Sequence, residues 1–449
     1  MEAEKPVFSN RALRALIIPL VLEQILGLTV GMADSIMVSI AGEAAVSGVS
    51  LVDSINILLT NLFSSLATGG AVVAAHRLGE KKEEAANRTA DQLLLCVTGI
   101  ALIIALFSLA FNRIILGLIF GNVEADVMEN AVVYFYLTAL SFPFLGIYNA
   151  SAALSRAMGN SRITMLISIL MNAVNIIGNA FFIMAFHWGV FGVALSTLLS
   201  RILGAVIMFG ILKSGKHPLH YSRRIALRLD RKILKNILRV GVPTGLDNCI
   251  FQVGKILVQS LVAGLGTTAI AANAIVGTVA GVAVIPASAM GIAMITVVGQ
   301  ALGAGSEEQA KFYVKKMMGY AYLFMAVLNL GIILFADQIA GLYQVTDATR
   351  QLAAEVIVFH SICATILWPT GFSLPNAMRA AMDATFTMVI SILSMWTFRI
   401  GCSYLFTLGF HMGLLGIWAA MGVDWIFRSG CFLWRMGSGR WLKNARKAE

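Results

Sequence analysis

The chain has 449 residues, 58% of them hydrophobic and only 12% charged, with a net charge of +10. Soluble domains carry about 25% charged residues. A mean hydropathy of +0.83 therefore excludes an ordinary water-soluble protein and points to lipid as the solvent. The positive balance invites a nucleic-acid partner, but the cations gather in loops between apolar spans, which excludes that reading.

A backbone in lipid must satisfy its own hydrogen bonds, which leaves helices or closed barrels. The apolar runs here are continuous rather than alternating, so helices are predicted. Twelve spans follow in order, at 15–40, 46–74, 93–115, 131–154, 163–186, 189–212, 241–263, 269–298, 317–336, 353–375, 386–408 and 413–434. The first follows Arg11 and Arg14 with no small-residue cleavage site, so a retained helix is expected rather than a removed signal. Arg77, Lys81, Lys82 and Arg88 follow the second span, and acidic Glu124, Asp126 and Glu129 follow the third. The stretch 213–239 holds Lys213, Lys216, Arg223, Arg224, Arg228, Arg231, Lys232, Lys235 and Arg239 against the single acid Asp230. Arg435, Arg440, Lys443, Arg446 and Lys447 close the chain. Threading twelve spans puts every basic cluster on one side. The positive-inside rule then predicts a multi-pass protein of the bacterial inner (cell) membrane with both termini in the cytoplasm.

Pro143, Pro286, Pro369 and Pro375 are expected to interrupt the fourth, eighth and tenth spans. The cysteines Cys96, Cys249, Cys363, Cys402 and Cys431 lie in apolar spans without CxxC spacing, and read as reduced packing residues. No phosphate loop, zinc signature or nucleophile elbow is present, so neither an enzyme nor a bound cofactor is expected.

Displaced by 224 residues, the chain matches itself. Pro19 falls on Pro243, Gly42 on Gly266, Leu78-Gly79 on Leu302-Gly303, Glu83-Glu84 on Glu307-Glu308 and His187 on His411. After a one-residue slip, Arg156-Ala157 falls on Arg379-Ala380, and 167–170 repeats as 390–393. The fold class is therefore an all-α membrane protein of twelve transmembrane helices in two pseudo-symmetric six-helix lobes. The predicted domains are residues 1–212, a cytoplasmic basic linker at 213–239, and 240–449. Six spans per half give parallel repeats, an arrangement of secondary transporters with substrate bound between the halves.

Ionisable groups inside spans are costly and become functional candidates. Asp34, Asn179 and Thr197 all fall roughly 9–12 Å from the outer helix ends at 1.5 Å rise per residue. Asn172, Asn175 and Asn179 share one helical face. A carboxylate among amide and hydroxyl oxygens suits a hard cation or an exchangeable proton. Alternatively, the asparagines and Thr197 only bond neighbouring helices. The second half lacks the set, with Val258, Phe398, Cys402 and Met421 at the matching positions. It carries Lys255, Arg399 and Asp424 instead, about 8–11 residues from the outer helix ends, either as a self-neutralising cluster with Arg428 or for contact with substrate or coupling to the other half. Glu23, three turns before Asp34, reads as a step in a proton path or as a solvated interface residue. Asp53 reads as a vestibule residue or a second ion ligand, and His360 as a hydrogen-bonded packing residue.

These residues resemble the multidrug and toxic compound extrusion (MATE) transporters. The marks are Met32-Ala33-Asp34-Ser35-Ile36-Met37-Val38, His76-Arg77-Leu78-Gly79 with its counterpart Gly299-Gln300-Ala301-Leu302-Gly303, Arg156-Ala157-Met158-Gly159-Asn160, Asn175-Ile176-Ile177-Gly178-Asn179 and Gly192-Val193-Ala194-Leu195-Ser196-Thr197. The resemblance implies export of cationic, amphipathic drugs in exchange for H⁺ or Na⁺, with the ion at Asp34, Asn175, Asn179 and Thr197. It implies no metal beyond Na⁺ at Asp34, a small-molecule substrate, lipid surroundings and a monomer. Some members carry Asp at the Asn179 position, so one carboxylate holds the ion here. The acid of another branch's second-lobe site has no match, since Phe251-Gln252-Val253 stand there. The alternative is a lipid-linked oligosaccharide flippase of a related fold, which calls for a larger, strongly cationic cavity.

Overall fold

A computed structural model describes residues 6–121, 123–222 and 228–446. Arg223, Arg224 and Lys447 of the basic clusters lie outside the described residues, as do the side chains of Met32, Ala33 and Ser35 in the first motif. The first six membrane helices are α1 (Asn10–Ser39), α2 (Glu43–Gly79), α3 (Glu83–Ala110), α4 (Ala125–Ala157), α5 (Ser161–Met184) and α6 (Gly189–Lys213). The next six are α7 (Arg231–Ala263), α8 in two pieces (Thr267–Ala283 and Ile285–Gly303), α9 (Glu307–Leu334), α10 (Asp347–Ala380), α11 (Ala384–Gly409) and α12 (Gly413–Gly437). Short helices at Asn112–Phe120 and Ala336–Gly341 follow α3 and α9 at matching places.

Backbone geometry carries the duplication too. Gly42 and Gly266, with φ of 104° and 93°, sit just before α2 and α8, in a region closed to side chains. His187 and His411 adopt φ of 54° and 55° just before α6 and α12. Pro286 lies in the first turn after a break in α8 at Val284, and Pro369 opens a π-helical turn (Pro369–Ser373) in α10. The expectation for Pro143 is corrected, because α4 continues through it without a break. Two further π-helical turns, Met395–Ile400 and Leu405–Gly409, lie in α11.

Two compact units divide the chain, Asn10–Gly245 and Leu246–Glu449 with the N-terminal segment before Asn10. The boundary falls inside α7, a few residues beyond the 239/240 limit read from the sequence. In the first unit small residues bring helices close. A Cβ on Gly48 of α2 would lie 2.8 Å from the Val127 carbonyl oxygen of α4. Ala67, Ala71 and Ala75 pack against Ala153 and Ala157 on the same two helices. The described ends of the 213–239 segment are tied to α3: Asp91 accepts from the Ser222 amide (3.0 Å) and Gln92 from the Asp230 amide (2.8 Å). In the second unit, the Phe8 amide donates to the Tyr313 hydroxyl at 2.8 Å, which holds the N-terminal segment on α9.

Among the described residues ten helices are long and apolar enough to cross a membrane, counting α8 by its second piece. The remaining two, α7 and α12, carry Asp247, Lys255, Asp424 and Arg428 within their lengths. Large apolar side chains such as Ile103, Leu118, Val327 and Leu342 are left exposed, as expected of surfaces that face lipid.

Candidate cation site and its basic counterpart

In the first unit α1, α5 and α6 bring the predicted residues together. Asn179 Nδ2 donates to Asp34 Oδ1 at 2.9 Å, and Asn175 Nδ2 donates to Thr197 Oγ1 at 3.2 Å. Asn175 and Asn179, one turn apart, also meet each other, Nδ2 of Asn179 to Oδ1 of Asn175 at 3.4 Å. The α5–α6 contact is close because residue 178 is glycine; a Cβ there would lie 2.4 Å from Ser196 Oγ. Ser196 Oγ in turn donates to the Asn175 carbonyl at 2.7 Å, which fixes the two helices in register. Asp34, Asn172, Asn175 and Thr197 line a cavity of about 310 Å³. Asn179 is fully buried, and its Oδ1 has no hydrogen-bond partner among the described residues. Buried polar atoms are rarely left so, and an oxygen in that condition beside a carboxylate is suited to a cation.

Asp53 opens on the same cavity as Asp34. It accepts from the Tyr134 hydroxyl at 3.1 Å and from Asn56 Nδ2 at 3.3 Å. The sequence reading misses Arg201, which lines this cavity one helical turn beyond Thr197. Its Nη1 donates to Ser141 Oγ at 2.6 Å, and no carboxylate lies within ion-pair distance of it among the described residues. Two carboxylates and one guanidinium therefore share a small space inside the membrane helices. With all three ionised the site carries one net negative charge, which a single monovalent cation balances. The signal for Arg201 was its i+4 spacing from Thr197, obscured by an otherwise apolar span.

Glu23 stands apart from this cavity. It pairs with Arg156 (3.3 Å) and accepts from Thr164 Oγ1 at 3.1 Å. The same arrangement recurs 224 residues on: Asp247, the counterpart of Glu23, pairs with Arg379, the counterpart of Arg156, at 2.7 Å. The repeat in a unit without an Asp34 equivalent makes this acid–arginine pair part of the shared scaffold.

In the second unit, Asp424 of α12 is fully buried and pairs with Arg428 at 2.9 Å and with Arg399 at 3.7 Å. Ser394 Oγ also donates to its Oδ1. Arg399 lies in the π-helical turn Met395–Ile400 and lines a second cavity, of about 320 Å³, with Lys255, Gln259, Asn273 and Trp418. His360 is buried edge-on against Trp418 (5.2 Å) and Trp425 (5.7 Å) and lies outside the lining of the cavity.

A duplicated bundle of twelve membrane helices, with polar cavities inside its repeats, defines a membrane transporter. The MatE family model matches residues 19–181 and 243–405, one match in each half at the 224-residue displacement, and the chain belongs to that family. A probable multidrug resistance protein, NorM, of Thermotoga maritima is 26% identical, covering 97% of this chain and 94% of its own. The probable multidrug resistance protein YoeA of Bacillus subtilis is 25% identical, covering 95% and 94%. Among solved structures, a multidrug resistance MATE family transporter of the MOP superfamily, in an outward-facing conformation, overlays with a TM-score of 0.90. It is 22% identical and covers 98% of this chain and 100% of its own, so the fold is the twelve-helix MATE fold.

Proposed function

We propose that the protein is a secondary antiporter that exports small, cationic amphipathic drugs or metabolites in exchange for H⁺ or Na⁺, and that the exchanged ion is held at Asp34. The observation that carries this reading is the hydrogen-bonded chain from Asp34 through Asn179 and Asn175 to Thr197, in which Asp34, Asn175 and Thr197 line the cavity and Asn179 is buried behind it. A carboxylate in low dielectric is costly while charged, so loading H⁺ or Na⁺ and releasing it changes the energy of the site. A hard cation replaces the hydrogen bonds that the two amide Nδ2 groups now donate, and takes the Asp34 carboxylate, the Thr197 hydroxyl and the amide oxygens of Asn175 and Asn179 turned toward it. Neutralising the site favours one lobe arrangement, and cationic substrate entering as the ion leaves favours the other. Each elementary charge moving inward contributes about 2.3 kcal/mol per 100 mV.

On this reading Arg201 sets the charge count, so that one monovalent ion brings the cavity to neutrality. The protein works as a monomer in a bacterial inner membrane, both termini in the cytoplasm, with lobes 1–212 and 240–449 joined by the basic segment 213–239.

Reconstituted vesicles test this. Asp34→Asn is expected to insert and fold but to lose ion-driven efflux, whereas near-normal efflux in that variant refutes the site. Imposing a Na⁺ gradient and a pH gradient separately identifies the coupling ion.

A further inference from the structure

We propose that the cavity of the second unit binds an organic anion, a small molecule with one carboxylate headgroup and an aromatic or apolar body. The site goes beyond the cation reading and does not depend on Asp34.

The charge balance comes first. Around the cavity Lys255, Arg399 and Arg428 stand against one carboxylate, Asp424; the neighbouring Asp247–Arg379 pair is already balanced. Arg428 takes the close contact with Asp424, donating from Nε at 2.9 Å, and also donates to the Ser391 carbonyl at 3.0 Å. Arg399 has a 3.7 Å pairing and a cation–π contact with Phe251 at 5.4 Å, and its Nε has no hydrogen-bond partner among the described residues. Lys255 has no ion pair among the described residues and opens on the cavity. A basic group at the centre of a membrane helix is costly when it lacks a full counter-charge. Two such groups facing one cavity favour an anion that joins them.

The rest of the wall fits the body of such a ligand. The Trp418 indole donates to Asn273 Oδ1 at 3.1 Å, and Asn273 Nδ2 donates to Gln259 Oε1 at 3.0 Å. That chain holds an aromatic face beside the two cations, next to apolar Val258 and Met421. A volume of about 320 Å³ is at the small end for ligand cavities. A one- or two-ring carboxylate is the matching probe. The π-helical turn at Met395–Ile400 places Arg399 where its counterpart, Ile176, lies in regular helix.

The test is calorimetric titration of the full chain in neutral detergent with 2-naphthoate, and with short-chain phosphatidylglycerol in a parallel arm. Saturable naphthoate binding is expected. Lys255→Gln and Arg399→Gln should each weaken it about tenfold or more, as loss of a charge-assisted bond does, while Lys255→Arg keeps it within about threefold. Naphthoate binding is read on the wild-type chain with no ion gradient, whereas the cation reading is judged on ion-driven efflux by Asp34→Asn in vesicles, so failure of the cation reading and failure of this one are separable. Absent naphthoate binding, or Lys255→Gln binding like wild type, overturns the proposal. So does binding of phosphatidylglycerol alone, which assigns the cavity to a lipid headgroup.

Discussion

The two cavities are built from matching positions of the two repeats, and they carry opposite charge. Gly31, Asp34, Asp53 and Thr197 of the first unit correspond to Lys255, Val258, Gly277 and Met421 of the second, and all eight line their respective cavities. The acid–arginine pairs behind them, Glu23–Arg156 and Asp247–Arg379, are kept in both units. Duplication thus preserved the helix order and the flanking ion pair while the polarity of the lining inverted. Helix packing depends on small residues and glycine turns at a few contacts, and side chains that point into a cavity are free of that constraint.

The sharpest way to break this contrast is to remove a carboxylate from each unit. Asp424→Ala leaves Arg399 and Arg428 buried without their partner, and breaking a buried pair costs about 3–5 kcal/mol. Its apparent melting temperature in detergent should fall well below wild type. Asp34→Asn keeps the shape of a side chain with no cation in ion-pair contact among the described residues, so its melting temperature should stay close to wild type. Equal losses in the two variants would mean that Asp34 is structural, like Asp424.

A smaller effect comes from paired glycines. Gly178→Ala drives a methyl group against Ser196, with a Cβ distance of 2.4 Å to its Oγ and 3.1 Å to its Cβ. Overpacking of this kind costs about 1–3 kcal/mol and pries Asn175 and Asn179 away from Thr197, so transport should fall together with stability. At the counterpart Gly401 the nearest atom is the Trp396 carbonyl oxygen at 3.8 Å, an ordinary contact. Gly401→Ala should therefore be tolerated. In the same spirit, Asn179→Ala removes the donor to Asp34, and the apparent affinity for the coupling ion should drop about tenfold, while Cys402→Ala at the matching place should be silent in the same transport assay.

The twelve spans were legible because lipid demands long apolar helices, and the repeat because paired residues recur at one displacement. Asp34, Asn179 and Thr197 were legible because helical rise places them at one depth, and Asn175 because it shares a helical face with Asn179 one turn away; the structure brings the four together. Arg201 was not, since a single cation in an apolar span says nothing of which cavity it faces. Lys255 and Arg399 could be placed in depth but not joined to a cavity. Their meeting depends on a π-helical turn and on Trp418, and neither leaves a period in the sequence. Glu23 was read by its spacing from Asp34, whereas its partner is Arg156, on a helix distant in sequence.

The smallest effect lies outside the membrane spans, in the loops that follow α2 and the second piece of α8. After α2, Glu80 bonds Arg77 Nη1 at 2.8 Å and Lys82 Nζ at 2.9 Å. Its counterpart is Ala304, and the second loop relies on Ser306, whose side chain accepts from the Gln309 amide at 3.4 Å. Partial burial opposes the charge on Glu80, but hydrogen bonds and charge from Lys82 and Arg77 outweigh it and hold its carboxyl below the ordinary glutamate range. A lowered folded-state value means that the stabilisation is complete above that range and is lost as pH falls through the lowered value. Lys82 is largely exposed, so the cluster is worth at most about 1 kcal/mol. Glu80→Gln should lower the apparent melting temperature slightly near neutral pH, with the gap closing below about pH 4. Ala304→Gln should show no such pH-dependent gap, and a gap of equal size there would mean that the two loops are held by the same means.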